Sequence, residues 1–165
     1  MTSQEMKQEI LRLLRRNARI PDQEIADRLG VEAAEVRAVI AQLEKDRQVL
    51  GYSAVIADGA TGDDEVSAII EVEVQPERDG GFDRIAENLS HFPEVRSAYL
   101  VSGRYDLRLS VVGRSLQEVA HFVASKLASQ PGVRATATHF MLKTYKEAGI
   151  QFHEGEDYER LKVVP

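Results

Sequence analysis

Apolar residues recur along the first fifty positions with the spacing of helices. Met6, Ile10, Leu13 and Leu14 fall on one face, preceded by Thr2 with Glu5 three positions on, the reciprocal pair of a capping box. Arg15, Arg16, Asn17 and Arg19 close that stretch, and cations suit the negative end of a helix dipole. Ile20-Pro21-Asp22 opens a second, short helix carrying Ile25, Ala26 and Leu29, and Gly30 is placed to stop it in a left-handed conformation. A third helix is predicted over residues 33–46, with Val36, Val39, Ile40 and Leu43 inward. Residues 49–56, Val-Leu-Gly-Tyr-Ser-Ala-Val-Ile, read as a short β wing.

From residue 65 the period changes. Val66, Ala68, Ile70, Val72 and Val74 alternate as in a strand, and Gly80-Gly81 leads into a helix with Phe82, Ile85, Ala86 and Leu89 on one face. Val95, Ser97, Tyr99 and Val101 make a second strand, Ser102-Gly103-Arg104-Tyr105-Asp106 a turn, and Leu107, Leu109 and Val111 a third strand. Ser115 and Glu118 predict a capping box before a helix with Leu116, Val119, Ala120, Val123 and Leu127; Pro131-Gly132 ends it, and residues 133–145 form the last strand. Two crossover units joined by a hairpin give a β-α-β-β-α-β, ferredoxin-like sandwich with both helices on one sheet face. The other face is assigned Ile69, Ala98, Leu100, Val112, Phe140 and Leu142, apolar enough to predict self-association. The fold class is thus α+β: a winged helix-turn-helix domain over 1–57, a linker over 58–64 rich in glycine and aspartate, and a second domain over 65–165. The second domain ends in an acidic turn and a tail whose Leu161, Val163 and Val164 suggest a short strand on the sheet edge.

Composition narrows the function. The 165 residues carry 21 Lys+Arg against 27 Asp+Glu, net −6, with no cysteine. Disulfides, thiolate metal sites and cysteine nucleophiles are excluded. No apolar run approaches the roughly 18–20 residues of a membrane span, and the polar start lacks the apolar stretch of a signal peptide, so a cytoplasmic location is expected. Residues 1–57 carry nine basic and nine acidic groups, so the acidity belongs to the second segment. His91, His121, His139 and His153 show no metal-binding spacing, no nucleophile–base motif appears, and Gly80-Gly81 is not followed by the Gly-Lys-Ser/Thr of a phosphate loop. No metal, no cofactor and no catalytic group are expected.

Ile25-Ala26, Leu29-Gly30-Val31, Val36 and Val39 have the spacing of a helix-turn-helix: a small residue where the helices cross, a glycine at the turn, and apolar groups seating the third helix. Such a crossing presents one helix to a major groove. The candidate DNA-binding residues are Ala33, Ala34, Arg37, Gln42, Lys45 and Arg47. Arg37 and Gln42 are able to hydrogen-bond base edges, the alanines to touch a thymine methyl, and Lys45 and Arg47 to meet phosphates. Glu32 and Glu35 suit the helix dipole but repel phosphate, which predicts weak binding per subunit and a need for several linked copies. For each cation the alternative reading is a solvated surface charge.

The ordered set of motifs resembles the leucine-responsive/asparagine-synthesis regulator (Lrp/AsnC) family of prokaryotic transcription regulators. It comprises Ile25-Ala26-Asp27-Arg28-Leu29-Gly30-Val31, Leu43-Glu44, Gly51-Tyr52-Ser53-Ala54-Val55-Ile56, Leu100-Val101-Ser102-Gly103-Arg104-Tyr105-Asp106-Leu107, Gln130-Pro131-Gly132-Val133 and the closing Glu159-Arg160-Leu161-Lys162-Val163-Val164-Pro165. The resemblance implies a DNA-binding regulator whose second domain dimerises, often assembles into octamers, and binds a small molecule, usually an amino acid, near the 103–106 loop. On that reading the effector residues are Gly103, Arg104, Tyr105 and Asp106, with Thr136 and Thr138 supplying hydroxyls. A simpler role for Gly103 and Asp106 is to shape and cap the turn. Two other readings share the architecture. A sirohaem-decarboxylase-like enzyme needs Arg-His after the wing, where this chain has Ala57-Asp58-Gly59. A sensing and assembly module that has lost DNA binding fits the acidic, alanine-rich third helix.

Overall fold

The structure, a computed structural model, describes residues 2–57, 59–62, 65–75 and 81–152. Gly80, His153, Asp58, Asp63 and Asp64 of the linker, and the expected tail strand lie outside the described residues. The chain divides into two compact units after Ala54.

The first unit holds α1 (Ser3–Arg16), α2 (Asp22–Leu29) and α3 (Ala33–Lys45). The capping box at α1 is complete: Thr2 Oγ1 accepts the Glu5 N–H at 3.2 Å and Glu5 Oε2 accepts the Thr2 N–H at 2.7 Å. Gly30 ends α2 at φ 68°, returning its N–H to Ala26 O at 2.8 Å. Met6, Ile10, Leu13 and Leu14 from α1, Ile25 and Ala26 from α2, and Val36 and Leu43 from α3 close around one core, with Ile20 beneath the α1–α2 turn. The helix-turn-helix reading holds. The wing strand does not form: residues 49–57 run without a ladder partner, and Leu50, Tyr52 and Ile56 stand exposed. A strand is defined by a second strand that takes its N–H and C=O groups, and among the described residues none pairs with this segment; the Val49 N–H turns back to Leu43 O and Ala57 O accepts the Ala60 N–H, both at 3.1 Å.

The second unit contains β1 (Val66–Val74), α4 (Asp83–Ser90), β2 (Val95–Leu100), β3 (Leu107–Gly113), α5 (Leu116–Phe122) with a π-helical turn over Val123–Leu127, and β4 (Val133–Phe140). The four strands form one antiparallel sheet in the order β2-β3-β1-β4, the predicted ferredoxin-like topology. A separate hairpin, β5 (Lys146–Glu147) and β6 (Ile150–Gln151), follows. The core lies between sheet and helices: Ala68, Ile70, Val72, Val74, Leu107, Leu109 and Val111 meet Ile85, Leu89, Val119, Phe122 and Leu127. Phe92 and Phe122 pack edge to face at 5.6 Å. Gly132, at φ 86°, leaves room for Ile85, whose Cδ1 would lie 2.6 Å from an added Cβ. At α5, Ser115 Oγ accepts the Glu118 N–H, but the Glu118 carboxylate reaches the Arg114 N–H at 2.6 Å rather than that of Ser115, so the box is shifted by one residue.

The register corrects the open sheet face. Residues paired across an antiparallel ladder share a face. Ala98 pairs with Leu109, Leu100 with Leu107, and Phe140 with Ala68, so all three belong to the helix side. Two irregularities cause the change: one between Val95 and Ser97 in β2, and one at Glu73/Val74 opposite the start of β4. Each extra residue flips the faces that simple alternation assigns. Leu142 lies beyond β4 and is 97% exposed. The open face keeps Ile69 and Val112, but sets them among Glu71, Tyr99, Arg108, Ser110 and His139. His139 Nε2 lies 3.3 Å from Glu71 Oε2.

Candidate functional site

In the first unit, α3 carries its polar residues outward because Val36 and Leu43 anchor the opposite side. Ala34, Arg37, Gln42, Lys45 and Arg47 are exposed. Ala33 is not presented with them: it packs half-buried against the core. The two residues able to read base edges both have partners within the chain. Arg37 Nε donates to Asp22 Oδ2 at 3.1 Å, and Gln42 Nε2 donates to Asp46 Oδ1 at 2.7 Å. Arg47 occupies a left-handed backbone conformation, φ 55°, just past the end of α3. Glu44, on the same helix, accepts the Tyr52 hydroxyl proton at 2.8 Å; that bond raises the phenol above its ordinary range and ties the segment after α3 to the helix.

In the second unit the 103–106 loop joins β2 to β3. Gly103 adopts φ 140°, a conformation that side chains disfavour, and the Arg104 guanidinium sits 5.6 Å from the Tyr105 ring centre. Asp106 is the anchor. Its N–H donates to Val72 O at 3.1 Å, its carbonyl accepts the Val101 N–H at 2.9 Å, and its Oδ2 accepts the Val74 N–H at 2.9 Å. The carboxylate therefore bridges to β1 at the irregularity beside Glu73, a role sequence reasoning confined to the turn itself. Thr136 and Thr138 pair with Val72 and Ile70 and are half-buried on the helix side. Thr136 and Leu107 flank Val72 from opposite sides, which puts them roughly 10 Å apart across three strands. The loop and Thr136 thus share one end of the sheet, while Thr138 lies one pleat farther along. Among the described residues no group of His, Asp or Glu is arranged to hold a metal, and no helix is long and apolar enough to cross a membrane.

Comparison with known proteins gives this geometry its context. Residues 5–44 match the AsnC-type helix-turn-helix domain, and residues 67–150 match the Lrp/AsnC ligand-binding domain. An HTH-type transcriptional regulator of Bacillus subtilis, YugG, is 42% identical over 165 residues, covering 98% of each chain. The chain belongs to the Lrp/AsnC family. As a member of this family it is a transcriptional regulator with a DNA-binding helix-turn-helix, not an enzyme, which removes the decarboxylase alternative. The leucine-responsive regulatory protein of Rhizobium meliloti is 30% identical over 84% of this Lrp/AsnC chain and 88% of its own. A Neisseria meningitidis transcriptional regulator solved in complex with L-methionine aligns with a TM-score of 0.66 at 26% identity, over 89% of this regulator and 93% of that chain.

Proposed function

We propose that this regulator grips double-stranded DNA through α3, with Arg37 and Gln42 reading bases, Ala34 meeting a methyl group, and Lys45 and Arg47 on phosphates. In the same reading the second unit binds an amino acid at the 103–106 loop and assembles the chain into a cytoplasmic homodimer, with an octamer as the higher form. The observation that carries it is one chain holding a helix-turn-helix and, in order after it, a ligand-binding domain of the same family. Support at the loop comes from chemistry. Asp106 offers a carboxylate to an ammonium, Arg104 a cation to a carboxylate, Tyr105 a wall, and Gly103 open backbone; the hydroxyls of Thr136 and Thr138 stand on β4, separated from β3 by β1. The L-methionine held by the Neisseria regulator is a zwitterion of the kind this set suits.

Two measurements test the two halves. A gel shift with the gene's own upstream DNA is expected to show a retarded complex; none would leave the module that senses and assembles without DNA, a reading favoured by the internal bonds of Arg37 and Gln42. A thermal-shift screen of the twenty amino acids is run on wild type and Asp106→Asn, a change that keeps an oxygen acceptor for the Val74 N–H while removing the charge. Stabilisation follows RT ln(1 + [L]/Kd), about 2.7 kcal/mol at a hundredfold excess over Kd. A shift in the wild type that shrinks in the variant supports the site, equal shifts move it elsewhere, and no shift rejects amino acids as the effector class.

A further inference from the structure

The Arg37–Asp22 bond joins the proposed base-reading residue to a different helix. Asp22 is the first residue of α2, and its carboxylate side chain is 33% exposed; the Arg37 side chain on α3 is 73% exposed. The bond uses Nε alone, and the two terminal nitrogens of Arg37 make no hydrogen bond among the described residues. A guanidinium is planar and carries five N–H donors in a fixed fork. With Nε held, the end-on pair of terminal nitrogens remains free, and that pair is able to span two acceptors such as guanine O6 and N7. A free arginine must also give up much of its side-chain freedom to make this contact; one already held has less to lose.

We propose that Asp22 is a positioning residue for sequence readout: it holds Arg37 by Nε and so presents the end-on fork to a guanine. This rests on the reading of α3 as the DNA-contacting helix with Arg37 as its base-reading cation. The role has an unusual signature. A carboxylate near DNA repels phosphates, so its removal by itself strengthens binding to every duplex. A positioning carboxylate, when removed, weakens binding to the preferred duplex relative to any other. The two effects therefore separate in the ratio of specific to non-specific affinity.

The experiment uses the full-length protein. A duplex is selected from a random pool by the wild type, and affinities for it and for a shuffled duplex of equal composition are measured at fixed salt. The proteins are wild type, Asp22→Ala, Asp22→Asn, Arg37→Ala and the Asp22→Ala/Arg37→Ala double variant. The expected result is an affinity ratio reduced about 3- to 10-fold by Asp22→Ala, largely retained by Asp22→Asn, which keeps an oxygen acceptor for Nε–H, and unaffected by Asp22→Ala once Arg37 is gone. An unchanged ratio in Asp22→Ala, with Arg37→Ala lowering it, overturns the positioning role and leaves the Arg37 reading intact. An equal loss in the presence and absence of Arg37 assigns Asp22 to α2 structure and overturns it as well. If Arg37→Ala leaves the ratio unchanged, or no duplex is enriched, the base-reading assignment fails and the proposal falls with it.

Discussion

Replacing Arg47 with glycine should move folding and DNA binding in opposite directions. Arg47 follows the cap of α3 at φ 55°; its N–H reaches Glu44 O at 3.0 Å and the Gln48 N–H reaches Leu43 O at 2.9 Å. Gly30 ends α2 in the same region of backbone space without a side chain to oppose it. A residue with a Cβ pays roughly 1–2 kcal/mol to sit there, and glycine returns about 0.5–1 kcal/mol of that through its greater freedom in the unfolded chain. Arg47→Gly is therefore expected to stabilise the first unit by about 0.5–1 kcal/mol, raising its melting temperature by roughly 2–8 °C. Arg47→Ala keeps the backbone cost and gains nothing. Both remove one cation from the proposed DNA surface and should flatten the slope of log K against log salt by about 0.9 each. Thermal unfolding by circular dichroism and fluorescence anisotropy with a random-sequence duplex at several salt concentrations measure the two effects. A glycine variant no more stable than the alanine variant refutes the strain argument; an unchanged salt slope in both refutes the phosphate contact.

Two other outcomes test the second unit. Ile69→Glu puts a charge in the middle of the open sheet face, and if copies pair there an unpartnered carboxylate in the interface costs about 3–5 kcal/mol; light scattering should report a smaller or aggregated species, and an unchanged mass removes that face from the interface. Glu94 accepts Lys126 Nζ at 2.5 Å, and this hydrogen bond holds its carboxyl below the ordinary value against partial desolvation. A depressed carboxyl stabilises the fold above its unfolded value near 4.5 and ceases to do so as pH falls through the folded one. Urea midpoints followed from about pH 5 to about pH 3 should therefore fall less steeply in Glu94→Gln than in the wild type, with parallel curves as the refuting result.

What could be read from residues alone divides along physical lines. Caps, stops and core faces depend on neighbours a few positions away, so Thr2 with Glu5, Gly30, and the alternation of β1 were legible. Faces of β2 and β4 were not, because one unpaired residue reverses every side chain beyond it, and nothing in Val95-Arg96-Ser97 marks the reversal. The wing failed for a related reason. Residues 49–56 have strand-like composition, but composition names no partner. At the candidate sites, the loop around Gly103 was legible as a turn, whereas the Asp106–Val74 bond spans 32 positions and the Arg37–Asp22 bond 15. Asp22 was passed over because its place at the head of a helix already accounted for it.

The π-helical turn at the end of α5 bears on how this fold tolerates changes in length. Phe122 and Leu127 are both buried although five positions apart. In a regular α-helix they would point about 140° away from each other. The wider turn, closed by the Ala128 N–H on Val123 O at 2.8 Å, returns Leu127 to the core side by looping out one residue's worth of chain. Removing one of the exposed residues Ala124 or Ser125 would let the turn close to ordinary helical pitch with Leu127 still inward. The segment therefore works as an expansion joint: loss of a single residue here is expected to be absorbed by the turn while the strand that follows keeps its register.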